Sequence, residues 1–140
     1  MGVDPAKAKP STYAVWYDYH FVNAGHIHSV HDFYYLLKGL YGPAKVYIED
    51  QYLGFNYKTA KMLSLEAGKL MGACEIAGIS YEVINVAHWK SLMGLSDKEN
   101  KKQRLLDKAS QIYPTDDEDI AAAILIGCAA ILDEDGVSML

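Results

Sequence analysis

Four acidic side chains in three distant parts of the chain have the type and setting to do chemistry: Asp4, Glu49, and the pair Asp116 and Asp119. Asp4 closes the run Gly2-Val3-Asp4 and is followed at once by Pro5, the form of a short strand broken by proline. Glu49 closes Val46-Tyr47-Ile48, a β-branched and aromatic run that reads as a strand buried on both faces. A carboxylate at the carboxyl edge of an open α/β sheet lies where such folds place their ligands, although a solvated strand-end residue explains Glu49 alone equally well. Asp116 and Asp119 stand at the head of a strongly apolar segment. Hard divalent cations such as Mg²⁺ take oxygen ligands, so acids gathered from distant segments point to metal-assisted phosphodiester hydrolysis.

The C-terminal acids also have a purely local explanation. Thr115-x-x-Glu118 fits a capping box, and residues Asp116 to Asp119 complement the positive end of a helix macrodipole. That explanation leaves out the spacing of Asp116 and Asp119, three apart and hence on one helix face, in a chain that also ends two strands in acids.

The elements that must position these acids follow in order. After Asp4-Pro5 a polar connector leads into a second strand, Thr12 to Tyr19, and Phe21 to Val30 continues it as a hairpin with Asn23-Ala24-Gly25 as the turn. Ser29-Val30-His31-Asp32 opens a helix as a capping box, and Gly42-Pro43 stops it. A long helix is predicted from Tyr57 to Ala77, with Leu63, Ala67, Leu70 and Cys74 facing the sheet. Ser64, Gly68 and Gly72 repeat every fourth residue on it, which either serves tight packing inside the domain or makes a two-fold seam between copies. Ser80 to Val86 reads as a fifth strand, Ala87 to Gly94 as a short helix or turn, and Asp97 to Gln111 as a basic amphipathic helix. The last helix buries a stripe of Ile120, Ile124, Gly127 and Ile131, and residues 133–140 form an acidic, flexible tail.

The ordered set Gly2-Val-Asp-Pro5, Tyr47-Ile-Glu-Asp-Gln-Tyr52 with Asn56 and Ala60 following, and Asp116-Asp-Glu-Asp119-Ile-Ala-Ala-Ala123 resembles the RuvC family of Holliday-junction resolvases. Each motif is weak alone; the set, in this order over nearly the whole chain, is specific. The resemblance implies an α/β, ribonuclease H-like fold with a five-stranded mixed sheet, order 3-2-1-4-5, flanked by helices in one domain over residues 1–140. It implies Asp4, Glu49, Asp116 and Asp119 as catalytic and metal-binding residues. The activity implied is two-metal hydrolysis of four-way DNA junctions with two Mg²⁺ ions per site, Mn²⁺ as an alternative, and a homodimer that nicks two strands symmetrically. Family members carry Gly after the Asp-Pro pair, where this chain has Ala6, so the shape of the first loop departs from the pattern.

DNA contacts implied by the resemblance are Lys90, Lys101 and Lys102, with Lys98 and Arg104 as further candidates, and Tyr52 as an aromatic that stacks on a base near the junction. Lysines on a helix face also serve plain solubility, and a loop tyrosine also tucks back onto a core. A ribonuclease H-like nuclease on RNA–DNA hybrids or flaps, and a non-catalytic junction-binding protein of the same fold, are the competing readings. A nucleotide-binding protein of the related actin-like group lacks support, since no glycine-rich phosphate loop is visible.

Composition bounds these readings. With 140 residues, 51% hydrophobic, the chain suits one folded domain. The absence of a long apolar run or a leader pattern predicts a soluble, cytoplasmic protein. A net charge of -5 argues against a simple basic nucleic-acid binder, yet charge is uneven: six basic residues against three acids lie between Lys90 and Lys108. Cys74 and Cys128 read as packed thiols. His26, His28 and His31 read as surface histidines, because no cysteine or carboxylate near them in sequence completes a tetrahedral set.

Overall fold

Strand β1 (Gly2–Asp4) lies at the centre of a five-stranded sheet. On one side β2 (Ser11–Tyr17) pairs with it antiparallel and is followed outward by β3 (His20–Ile27); on the other β4 (Lys45–Asp50) pairs with it parallel, followed by β5 (Ser80–Asn85). The order β3-β2-β1-β4-β5 is the one expected from the sequence. This computed structural model describes residues 1–40, 44–50, 57–96 and 99–140.

Period-two alternation divides the strand side chains between two cores. Val3, Val46 and Ile48, all fully buried, meet α1 (Val30–Lys38) and α2 (Tyr57–Ala77) on one face. Each such side chain contributes about 1.5–3 kcal/mol by leaving water. On the opposite face Ala14, Trp16, Tyr47 and Ile84 pack with α3 (Val86–Leu92), α4 (Lys101–Ala109) and α5 (Glu118–Asp135). The predicted stripe of α2 holds for Ala67, Leu70 and Cys74, which are buried, with Leu63 half-buried.

Helix α5 departs from a one-sided stripe: every residue from Ala121 to Ala130 is buried, because the helix is sandwiched between the sheet and the α3–α4 layer. Its approach to β1 is set by glycine. A Cβ on Gly2 would sit 2.6 Å from the backbone nitrogen of Gly127, and one on Gly127 would overlap the Trp16 ring. Asp133, Glu134 and Asp135, assigned from sequence to the tail, form the last turn of α5 and bond to His88 (3.1 Å), Lys45 (2.5 Å) and Tyr19 (3.1 Å).

The β2–β3 turn also differs from expectation. It falls at Asp18 and Tyr19, both left-handed (φ 50° and 63°), while Asn23, Ala24 and Gly25 lie inside β3. Two consecutive left-handed residues match the twist of a two-residue hairpin, and the short polar side chain of Asp18 tolerates that region. Gly25 has another purpose: it is the partner of Tyr13, whose hydroxyl and ring lie 3.0 and 3.2 Å from where a Cβ would sit.

Ser29 caps α1 as expected, its hydroxyl accepting from the Asp32 amide at 3.0 Å, and Gly39 closes the helix. The proposed stop at Gly42-Pro43 lies outside the described residues. Helix α4 is shorter than the span expected, beginning at Lys101 after Asn100, which is left-handed at φ 50°; Asp97 and Lys98 lie outside the described residues. Both cysteines are free and buried, and burial pushes their thiols up to about 11 (Cys74) and about 12 (Cys128), so they pack as apolar groups. Among the described residues no helix is long and apolar enough to cross a membrane.

Candidate active site

Parallel pairing of Val3 with Ile48 puts Asp4 beside Glu49 one step further along, where both strands reach the carboxyl edge of the sheet. Alternation turns both acids to the α5 side, since Gly2 and Tyr47, two residues earlier in each strand, pack there. Asp119, in the first turn of α5, comes down on the same spot. Glu49 is 5% exposed.

The energetic signature of this crowding is the Asp4 carboxyl. Burial, hydrogen-bonding contact with Glu49, and the charges of Glu49 and Asp119 push its pKa far above the ordinary carboxylate range, with the Lys9 ammonium opposing weakly. Even with the Asp4 carboxyl protonated, Glu49 and Asp119 against the single ammonium of Lys9 leave the site with excess negative charge. A buried acid cluster of this kind is stabilised by a cation.

Two contacts that the sequence reading missed hold Asp119 in place. Thr12, fully buried and paired with Asp4 across β1 and β2, donates its hydroxyl to the Asp119 carbonyl at 2.6 Å. Lys9, in the β1–β2 connector, reaches the Asp119 carboxylate at 2.6 Å. That contact raises the lysine pKa, aided by the charges of Asp4 and Glu118. Asp4, Pro5, Lys9, Met62, Leu63 and Asp119 line a cavity of about 440 Å³. Thr12→Val keeps the strand shape and removes the donor; we expect a loss of about 1 kcal/mol in denaturant unfolding, with the first turn of α5 exchanging amide hydrogens faster.

Asp116 and Asp119 do not share a helix face. The helix starts at Glu118, and its cap is Asp117, which accepts from the Asp119 and Ile120 amides at 2.9 and 3.2 Å. Thr115, expected as the cap, instead accepts from the Asp117 amide at 3.1 Å. Asp116 is exposed, ahead of the cap. The capping carboxylate also meets His26 Nε2 at 2.9 Å; burial raises the Asp117 pKa, but the Ile120 amide and His26 outweigh it and the net shift is downward. A carboxylate therefore does face His26, brought from 91 positions away, and its task is to cap a helix.

Lys90, Ser96, Lys101, Lys102, Arg104 and Glu118 line a second cavity of about 350 Å³ between α3, α4 and the head of α5. Arg104 also donates to the Gly94 carbonyl at 2.9 Å. Successive residues of α5 thus face different environments: Glu118 borders the basic cavity and Asp119 the acidic one.

No family model matches the chain, and no curated protein matches it. Among solved structures, T. thermophilus RuvC in complex with a Holliday junction substrate aligns at a TM-score of 0.72, covering 96% of this chain and 94% of that one at 14% identity. The chain has the RuvC fold. A Thermus thermophilus RuvC structure aligns at a TM-score of 0.66, over 96% of this chain and 95% of that one, at 13% identity. At this identity the architecture is what the two share, and the RuvC-like sheet order accounts for the meeting of Asp4 and Glu49 at one edge.

Of the residues expected from sequence, this RuvC fold gathers Asp4, Glu49 and Asp119, and brings Lys90, Lys101, Lys102 and Arg104 to one cavity. Tyr52 and Lys98 lie outside the described residues. The donor set of the acidic edge, all carboxylate oxygen, fits a hard divalent ion. Among the described residues no three ligating side chains are already arranged as a metal cage, and the Asp119 carboxylate is turned onto Lys9, whose ammonium stands in for a cation.

Proposed function

We propose that this protein is a structure-selective endodeoxyribonuclease that resolves four-way DNA junctions, acting as a homodimer and depending on Mg²⁺, with Mn²⁺ as a substitute. The observation that carries the reading is the convergence of Asp4, Glu49 and Asp119 at one sheet edge, beside a basic cavity at the head of the same helix. The RuvC fold, seen elsewhere in complex with a Holliday junction, supports branched DNA as the substrate.

In this reading Asp4, Glu49 and Asp119 hold the metal, and Asp116 completes the set from the segment ahead of the helix cap. These carboxylates would hold Mg²⁺, which when bound would supply Lewis acidity to activate a water and to offset charge on the leaving 3′-oxygen. The protein's own contribution is positional. Thr12 fixes Asp119 against β2, and the parallel register fixes Asp4 against Glu49. Lys90, Lys101, Lys102 and Arg104 hold strand phosphates on the α4 side, Lys98 is a further candidate for the same task, and Tyr52 stacks on a base opened at the junction.

The dimer surface is the outer face of α1 and α2. Among the described residues a Cβ on Gly68 or Gly72 would meet nothing within 4 Å, so these glycines answer no packing demand from those residues. Leu65 and Ile76 stand exposed on the same helix, and Val30, His31, Tyr34, Lys69, Gly72 and Ile76 border a largely apolar hollow of about 520 Å³. A second copy covers this face, with the glycines admitting close approach of its backbone.

The test is incubation of the purified protein with a synthetic four-way junction, a matched duplex and an RNA–DNA hybrid, each with and without Mg²⁺. Paired symmetric nicks in the junction alone, and only with the metal, are expected. Cleavage of the hybrid in preference to the junction, or of nothing, overturns the reading. Separately, Lys101→Ala with Lys102→Ala is expected to weaken junction binding and lower the slope of log affinity against log salt by about 2, since each lysine that neutralises a phosphate displaces close to one counterion. An unchanged slope in a titration series takes both lysines out of the interface.

A further inference from the structure

The β1–β2 connector is tied down at three points. Ser11 Oγ accepts from the Ala6 amide at 2.9 Å and donates to the Ala6 carbonyl at 3.4 Å, closing the base of the loop. Lys7 reaches Glu66 on α2 at 3.2 Å, and Glu66 is gripped from its own helix by Lys69 at 2.9 Å. Lys9 crosses to Asp119 on α5 at 2.6 Å. The connector therefore forms a strap from α2 to α5 over the cavity that holds Asp4 and Asp119. Its two lysines divide the work: one anchors the strap and the other enters the acid cluster. Helix α2 offers Lys7 an acid away from the cluster, while Asp119 and the nearby charges of Asp4 and Glu118 draw Lys9 inward.

We propose that Lys9 is a positioning residue that serves as the internal counter-ion of Asp119 and competes with the metal for that carboxylate. The inference rests on the metal-dependent reading above. The Lys9 side chain is 60% exposed and that of Asp119 25%, so the ammonium enters from solvent and leaves without disturbing the core. While it is in place it occupies the cationic position on Asp119 and keeps that carboxylate ordered. On metal entry it must release Asp119, and the freed ammonium then lies at the mouth of the cavity, where a DNA phosphate passes. Metal occupancy in the absence of DNA is thereby held down, and a phosphate that draws Lys9 away raises it.

The experiment titrates Mn²⁺ alone into the intact protein without DNA, reading free ion by electron paramagnetic resonance, for the parent, Lys9→Met, Lys9→Gln and Lys7→Met. Both Lys9 variants keep the fold, as melting curves would verify, because the side chain is exposed. Removing an exposed ion pair that competes for one ligand is expected to tighten Mn²⁺ binding roughly three- to ten-fold, with Lys7→Met within about two-fold of the parent. Parent binding that Lys9→Met and Lys9→Gln leave unchanged or weaken overturns the role of Lys9 and leaves the nuclease reading standing. No bound Mn²⁺ in any of the four proteins overturns both.

Discussion

Asp4→Asn is expected to yield a protein that binds a four-way junction as the parent does, cuts it at least about 10³-fold more slowly, and is more stable than the parent without metal. The activity loss is on the scale of removing one preorganised electrostatic group from the reacting centre. The gain in stability follows from the crowding around Asp4. Burial and the Glu49 and Asp119 charges hold this carboxyl protonated well above its ordinary value of 3.8. Between that value and the raised one, the folded chain keeps a proton that the unfolded chain has released. The stability contributed is present below about pH 4 and is lost as pH rises towards the folded pKa. Asparagine has no such titration, so the variant's stability should vary less with pH, and at pH 8 it should exceed the metal-free parent by about 1–3 kcal/mol. Mg²⁺ should raise the melting temperature of the parent and not of the variant. A variant that cuts at the parent rate with Mg²⁺, or that melts lower than the metal-free parent at pH 8, contradicts the assigned site. Glu49→Gln, at a buried position in the same cluster, is expected to lose activity to a similar degree.

The acids were legible in sequence as an ordered set, since each alone has an ordinary local explanation. A strand that could end in any polar residue ends in Asp followed by Pro, and a run fit for the centre of a sheet ends in Glu. Their meeting was legible only through the order of strands, since parallel pairing of β1 with β4 is what aligns them. Lys9 and Thr12 gave no such signal. A lysine in a polar connector and a threonine in a strand are ordinary there, and their meaning comes from α5, more than 100 positions away. The turn placed at Asn23-Ala24-Gly25 failed for a related reason: Gly25 suggests a turn by composition, while in the fold it makes room for the ring of Tyr13 across the strands. Helix α5 reads as one-sided from the stripe Ile120, Ile124, Gly127 and Ile131; the ten consecutive buried residues Ala121 to Ala130 need two packing layers, and those layers come from separate parts of the chain.

Leu65→Glu with Ile76→Glu is expected to turn the proposed dimer into a folded monomer and to uncouple the two cuts that the proposal assigns to it. Leu65 is 59% and Ile76 79% exposed, so neither supports the domain's own core, and charge at both should change the stability of the isolated chain by no more than about 0.5 kcal/mol. In an interface the same two positions would bury four carboxylates around a two-fold axis, one pair from each copy. Unpaired buried charge costs several kcal/mol per group, enough to weaken association by well over a hundred-fold. Sedimentation at micromolar concentration should then show a parent dimer and a variant monomer with unchanged circular dichroism. Because each copy would carry a complete acid cluster, the monomer should keep Mn²⁺ binding while the nicks on a junction become independent, so that singly cut products accumulate. A variant that sediments as the parent does moves the seam off α2. A parent that is itself monomeric on junction DNA removes the dimer from the mechanism and leaves the acid cluster to be judged by Asp4→Asn alone.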